Sequence, residues 1–229
     1  MGSWQRDNYF TRLNSGQLPR VHKPRFNDSF ADLDWIGEDV FIVGGGPSVL
    51  DHDLSVLEGR KVITVNMGYR AAKPTIAYFG SILLLMRASR EADFNDIVGV
   101  RAALEAMVWN TKSQYGCHVM ECSQEEWGSD FITGVPVFSN SGLVAVNMAD
   151  ILGAENIYLI GFDMRGEKGR TVNFHDYYPD NMRPPESHYD TYRNDFDRVP
   201  LYGSSNVWNC NKASALRTFP YRPLKDAIR

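Results

Sequence analysis

Short, dense apolar runs separated by glycine, proline and polar turns recur along the chain from Val40 onward. The first, Val40-Phe-Ile-Val43, is continuous rather than alternating and contains three β-branched residues. That pattern belongs to a strand buried on both faces of a parallel sheet. Further strand-like runs lie at Lys61–Val65, Thr75–Phe79, Ala106–Trp109, His118–Glu121, Ile157–Ile160 and Val207–Asn209. Helix-like runs sit between several of them, at Ser48–Leu57, Ser81–Ala92 and Gly142–Leu152. Such alternation predicts an α/β fold on a mostly parallel sheet with helices on both faces.

Two segments break the pattern. Residues 1–35 are polar and irregular, with aromatic residues Trp4, Tyr9, Phe10, Phe26 and Phe30, and read as an N-terminal arm ahead of one domain over 36–229. The stretch at about 166–200 carries Tyr177, Tyr178, Tyr189, Tyr192, His175, His188 and three prolines, with hardly any aliphatic residues. A loop that long inside a domain is usually functional. Its aromatic content favours ordering over a ligand, so a long aromatic lid is expected.

In open parallel sheets ligands bind beyond the carboxyl ends of the strands, so the residues at those ends outline the expected site. The first strand breaks into Gly44-Gly-Gly-Pro-Ser48 ahead of a helix-like run. Without a Cβ, such a turn lets backbone N–H groups approach a phosphate, and a helix N-terminus adds partial positive charge. No Lys follows, which argues against a kinase-type P-loop. The second strand ends in Asn66, the third in Gly80-Ser81, and Ile157–Ile160 runs into Gly161-Phe-Asp163 with Arg165 beyond. Ser139-Asn-Ser-Gly142 supplies an N-cap and an anion-facing helix start. Asn66, Asn140, Ser141 and Asp163 are each also ordinary turn or cap residues. Their convergence on one sheet edge, with phosphate donors beside amides and a carboxylate for sugar or base, argues for a nucleotide site.

Composition narrows the class. The 229 residues are 43% hydrophobic, enough for a full core. A net charge of −4 argues against a broad nucleic-acid surface, although Arg12, Arg20, His22, Lys23 and Arg25 make the arm locally basic. Cys117, Cys122 and Cys210, without C-x-x-C spacing, suit a reducing compartment. The longest apolar run, Ile82–Met86, is too short to span a bilayer and no signal peptide opens the chain, so a cytoplasmic location is expected. Asp32-Leu-Asp34, Asp51-His-Asp53 and Asp195-Phe-Asp197 have D-x-D spacing. A metal-holding pair should end a strand, whereas Asp51 and Asp53 open a helix-like run, where the dipole favours acids. His175 and His188 lack partners at zinc spacing, so no metal site is expected.

Gly44-Gly-Gly-Pro-Ser-Val-Leu50, Asn66, Ser139-Asn-Ser-Gly-Leu143 and Leu152-Gly-Ala-Glu-Asn-Ile-Tyr-Leu-Ile-Gly-Phe-Asp163 together resemble the bacterial lipooligosaccharide sialyltransferase family. Glu186-Ser-His-Tyr189 and Val207-Trp-Asn-Cys-Asn-Lys-Ala-Ser-Ala-Leu216 extend the resemblance in the same order. It implies a Rossmann-like fold with a lid, and transfer of sialic acid from a cytidine monophosphate donor without a metal. Related sequences include flagellin-modification factors and a pterin pyrophosphokinase. By position, the resemblance implies donor contacts from the turn (Gly45, Gly46 and Ser48, with Gly44 and Pro47 beside them), from Asn66, and from Asn140, Ser141 and Gly142. Ser81 stands where the family has a second donor-side Asn. Arg165 replaces a Tyr that supports the leaving phosphate, and Tyr192 replaces the His base. His188 and His175 are the nearest imidazoles left.

The expected function is therefore a metal-independent, sialyltransferase-like glycosyltransferase. Its nucleotide-sugar donor is a substrate rather than a cofactor, and the sugar passes to a hydroxyl of a glycan or other acceptor. Asp163 would accept backbone or ribose hydrogen bonds, Arg165 would offset charge on the leaving phosphate, and His188 or His175 would take the acceptor proton. One alternative is a pterin-type pyrophosphokinase, which needs Mg²⁺ on strand-end carboxylates where this chain has Gly80-Ser81. Another is a nucleotide-binding module without a base, consistent with Tyr192. A nucleic-acid acceptor would rest on the basic arm against an acidic total.

Overall fold

Seven parallel strands form one sheet in the computed structural model, which describes residues 30, 33–104, 115–128, 134–167, 169–178 and 183–229. In chain order the strands are β1 (Asp39–Val43), β2 (Lys61–Val65), β3 (Ile76–Phe79), β4 (Val100–Leu104), β5 (His118–Met120), β6 (Cys122–Ser123), β7 (Val135–Pro136), β8 (Asn156–Ile160), β9 (Gly166–Glu167), β10 (Arg170–Thr171) and β11 (Asn206–Asn209). The main sheet runs β11-β8-β1-β2-β3-β4-β5, while β6–β7 and β9–β10 are small separate pairs. This is the α/β architecture on a parallel sheet that the pattern predicts, in the Rossmann-like form that the resemblance implies.

Side chains alternate between two cores. Val40, Ile42, Ile63, Val65, Ile157 and Leu159 enter one; Phe41, Val43, Val62, Tyr158 and Ile160 enter the other. Because both faces are covered, the strands are apolar at nearly every position. The first face lies under α1 (Ile82–Ala88) and α2 (Ser141–Ile151). Every residue of α2 from Gly142 to Ala149 is buried. Such a helix is apolar all round because it packs inside the domain. The second face lies under two 3₁₀ turns, Pro47–Asp51 and Leu54–Leu57, and the short helix Leu224–Ala227.

Several expectations are corrected. The run Ser48–Leu57 is not an α-helix: His52 and Asp53 are extended, and the Asp53 carboxylate accepts the Ser55 N–H at 3.0 Å, which divides the run into two 3₁₀ turns. The fourth strand is Val100–Leu104, whose small alanines give a weak strand signal; the expected run Ala106–Trp109 lies outside the described residues. The segment 166–200 is no bare loop, since it holds the β9–β10 hairpin and α3 (His188–Phe196). Within the expected arm, Phe30 and Trp35 are buried in the first core, and the basic residues Arg12 to Arg25 lie outside the described residues.

The chain lays down β1 to β5 in one direction, then returns to place β8 on the other side of β1. The reversal lies between β1 and β8, where open sheets leave a crevice at their carboxyl edge. Here the two strand ends are tied together: the Gly44 N–H donates to Ile160 O and the Gly46 N–H to Gly161 O, both at 2.8 Å. A Cβ on Gly46 would lie 2.0 Å from Asp163 Oδ2 and 2.6 Å from Gly161 O. The glycine is required by the protein's own backbone. Gly46→Ala should therefore destabilise the fold by about 2–4 kcal/mol, read as a lower denaturation midpoint; an unchanged midpoint contradicts this account of the turn.

Candidate functional site

A cavity of about 680 Å³ opens at the carboxyl edge of the sheet. Its floor is built from Gly44, Gly45 and Gly46 after β1, Asn66 after β2, Gly80 and Ser81 after β3, and Asp163 after β8. Asn140, Ser141 and Gly142 at the start of α2 form one wall. His175, Tyr178, His188, Tyr189 and Tyr192 close it from the 166–200 segment. Of the expected site residues, Pro47, Ser48 and Arg165 do not line it.

The glycine turn supplies fewer free donors than its sequence promises. The N–H groups of Gly44 and Gly46 are spent on β8, and Ser48 gives its Oγ (2.8 Å) and N–H (3.4 Å) to Asp163 Oδ2. Ser48 is buried, so it faces Asp163 rather than a ligand. Pro47 is exposed and begins the 3₁₀ turn Pro47–Asp51. Asp163 is likewise held within the protein, taking a third bond from Asn211 Nδ2 at 3.0 Å. Gly45 keeps its N–H without a protein acceptor among the described residues.

The open donors are at the start of α2 instead. Asn140 is the N-cap, and its Oδ1 accepts the Leu143 N–H at 2.8 Å. Asn140 Nδ2 is buried and has no partner among the described residues. The Ser141 and Gly142 N–H groups have no carbonyl in the preceding turn to bond, as at any helix start. Gly142 has no Cβ because one would lie 2.5 Å from the Phe162 ring. These three residues line the cavity at the positive end of an eleven-residue helix, an arrangement suited to an anion.

Asn66 adds a fourth donor. It sits at φ 53°, a left-handed conformation that Asn tolerates better than most residues. Its Oδ1 accepts the N–H groups of Gly80 (3.0 Å) and Ser81 (3.1 Å), bridging the ends of β2 and β3. The acceptor side is thereby fixed, and Nδ2 is left as the group available to the cavity.

The closing segment is tied to this floor. Phe174 N–H donates to Gly45 O at 2.9 Å, Tyr178 OH to Ser81 Oγ at 3.1 Å, and Arg87 to Tyr177 O. Burial pushes the Tyr178 and Tyr192 hydroxyl pKa values up, so both stay protonated near neutral pH. His188 begins α3, is exposed, and faces Tyr192 one turn on with ring centroids 6.2 Å apart. His188, Thr191 and Tyr192 share the face of α3 that lines the cavity. His175 is half-buried against Phe174, Tyr177 and Tyr178. Desolvation lowers its pKa to about 4, outweighing the opposite pull of Asp176. Arg165 is exposed outside the cavity.

Four aspartates of the D-x-D pairs hold local structure, and Asp32 lies outside the described residues. Asp53 caps a turn, Asp34 Oδ1 accepts the Ile36 N–H, Asp195 Oδ2 accepts the Ser139 N–H, and Asp197 Oδ1 accepts the Thr218 hydroxyl. Among the described residues no group of three His, Cys, Asp or Glu side chains could hold a metal ion. No described helix is long and apolar enough to cross a membrane. Sequence reasoning pointed to the aromatic segment as a group but did not single out Tyr178, and Asn173, which also lines the cavity, carried no signal.

The fold is similar to that of solved bacterial enzymes. One is the sialyltransferase CstII from Campylobacter jejuni in complex with a substrate analogue, CMP-3FNeuAc: 13% identity, 80% of this chain and 85% of that chain covered, TM-score 0.50. The same enzyme in complex with cytidine-5′-monophosphate matches at 14% identity over 81% of this chain and 85% of that chain, with a TM-score of 0.52. No protein-family model matches the chain, and no curated protein matches it in sequence.

The environment of His175 has a measurable consequence. A histidine whose folded pKa lies below its ordinary 6.5 binds fewer protons folded than unfolded. Its contribution is whole above pH 6.5 and is lost as the pH falls through about 4. His175→Gln should therefore lose less melting temperature than wild type between pH 6.5 and 4; an identical slope in the two proteins contradicts a desolvated imidazole.

Proposed function

We propose that this chain is a glycosyltransferase whose donor is a sugar linked to a nucleoside monophosphate, of the cytidine monophosphate–sialic acid kind. The observation that carries the reading is the start of α2, where Asn140, Ser141 and Gly142 line a nucleotide-sized cavity and the buried Asn140 Nδ2 has no partner among the described residues. The likeness of the fold to a sialyltransferase solved with cytidine-5′-monophosphate supports it.

Charge supports a single phosphate. Among the described residues no Lys or Arg lines the cavity, and Asp163 is the one carboxylate there. Helix-end N–H groups and neutral amides match the one charge of a phosphodiester. A diphosphate donor brings at least twice that charge and normally a Mg²⁺ held by carboxylates, which favours the transferase over the pyrophosphokinase. Donor binding on N–H groups needs no metal, and we assign none to the reaction.

In this reading the α2 wall and Asn66 Nδ2 hold the phosphate as the bond from sugar to phosphate oxygen breaks. These preset donors face the charge that develops on the leaving nucleotide. His188, accessible at the cavity wall, accepts the proton of the attacking hydroxyl. Arg165 lies outside the cavity and has no step in this mechanism.

Binding is tested by calorimetry with CMP, UMP, GMP and AMP in EDTA. CMP should bind selectively, and equal affinity for all four, or a requirement for added Mg²⁺, contradicts the reading. Asn140→Asp keeps the cap oxygen on Leu143 but turns the unpaired donor into an anion. CMP affinity should fall on the order of 100-fold with the melting temperature nearly unchanged; undiminished affinity would place the phosphate elsewhere.

The base is tested separately. His188→Ala should lower turnover on the order of 10²–10⁴-fold with CMP affinity intact. Wild-type turnover in the variant assigns the base to another group.

A further inference from the structure

His175 lines the same cavity from the closing segment, and its ring is oriented by the protein. The Tyr177 N–H donates to Nδ1 at 3.4 Å, so Nδ1 carries the lone pair and Nε2 carries the hydrogen in the neutral ring. Phe174 and Tyr177 meet the ring edge-on, at centroid distances of 5.1 and 5.7 Å, and Tyr178 lies tilted at 6.2 Å. Nε2 lies beside the glycine turn: a Cβ on Gly45 would lie 3.9 Å from it, with Asn173 Oδ1 nearer at 3.0 Å. The segment is anchored there by the Phe174 N–H on Gly45 O at 2.9 Å.

From this geometry we infer that His175 is a binding residue for the donor, presenting Nε2–H to an anionic oxygen of the nucleotide over the glycine turn. The inference rests on the proposed function and deepens it, because it separates the two imidazoles of the cavity. His188 is exposed at the start of α3, and among the described residues no backbone N–H is bonded to either of its nitrogens. His175 has its basic nitrogen occupied and only a donor left to offer, which suits recognition and not proton removal. With the Gly45 N–H, also without a protein acceptor among the described residues, it restores to the turn two donors that Gly44 and Gly46 spend on β8.

The surroundings keep the ring neutral. Burial is the main influence, Asp176 opposes it, and Arg183 and Arg70 add to it, so the imidazole stays uncharged well below neutral pH. A neutral donor binds an anion with less desolvation cost than a buried cation, and its strength does not change over the physiological range. Tyr177, whose N–H orients the ring, is itself gripped by cations: Arg70 and Arg87 lie over its ring at 5.1 and 5.9 Å.

The test combines calorimetry with nitrogen NMR on the full chain. His175→Ala should weaken CMP about tenfold, while cytidine, which lacks the phosphate, binds both proteins equally. His175→Gln, whose side-chain amide can reach the Nε2 position, should restore CMP affinity to within about threefold. In ¹⁵N-labelled wild type at pH 6.5, His175 should show an unprotonated Nδ1 and a protonated Nε2. An imidazolium or the opposite tautomer overturns the inference, as does CMP affinity unchanged in His175→Ala. Equal loss of cytidine and CMP moves the contact off the phosphate and overturns it too. Loss of turnover in His175→Gln with CMP affinity restored makes His175 the base and overturns it. Failure of CMP to bind the wild type overturns the proposed function itself, and with it this inference.

Discussion

The Asp163 carboxylate, just past β8, receives Ser48 Oγ, the Ser48 N–H and Asn211 Nδ2, and so ties three stretches of chain that are distant in sequence. Its backbone joins in: Asp163 O accepts the Ala215 N–H at 2.8 Å, and Phe162 O accepts Ser214 Oγ at 2.5 Å. A buried carboxylate is tolerable only when its oxygens are met in this way. Gly46 must be glycine for the carboxylate to sit there. The knot holds the β1 and β8 ends together at the reversal of strand order. The same junction takes the N–H groups of Gly44, Gly46 and Ser48 and leaves only that of Gly45, so the anion-binding capacity of the site shifts to the start of α2 and to the segment that closes over the turn.

Phe162 connects the knot to that wall. Its ring fits between Gly44 and Gly142, each of which would clash with it if it carried a Cβ. It meets Phe196 edge-on at 6.0 Å, and Phe196 meets Phe219 in the same manner at 5.9 Å. Phe196 ends α3, and nearby Asp195 accepts the Ser139 N–H ahead of α2 at 3.0 Å. One end of α3 is thus set by the core and by the lead-in to the anion wall, while His188 at its other end is exposed to the cavity. Packing fixes the direction of the helix, and the direction decides which side chains face a ligand.

The sheet was legible because burial on both faces makes each strand a continuous apolar run, as in Lys61–Val65, whose expected and observed bounds coincide. The small-residue strand Val100–Leu104 gave no such contrast, and Pro47 with Asp53 divided what reads as one helix into two turns. The strand-end residues do gather at one edge. Which of them are free to bind was not legible, because that depends on long-range partners: Ser48 and Asp163 read as ligand groups until each is seen to hold the other. Asn140 and Asn66 show the reverse, since each spends its oxygen on a local turn and keeps its NH₂ for the cavity.

The two ends of one helical turn bear on the chemistry. The resemblance to the sialyltransferases puts their base at Tyr192, whereas the accessible imidazole here is His188, on the same face of α3 and one turn earlier. A turn of helix is about 5.4 Å long, and a general base must come within about 3 Å of the proton it takes. A base moved by a turn cannot serve an acceptor hydroxyl left in the same place. In the proposed reading the acceptor must therefore lie nearer the exposed start of α3, in the direction of Glu186 and Ser187, with Tyr192 as a protonated, half-buried wall beside it. The change of base is then a change of acceptor position, and it would leave the donor half of the cavity, set by β1, β8 and α2, untouched.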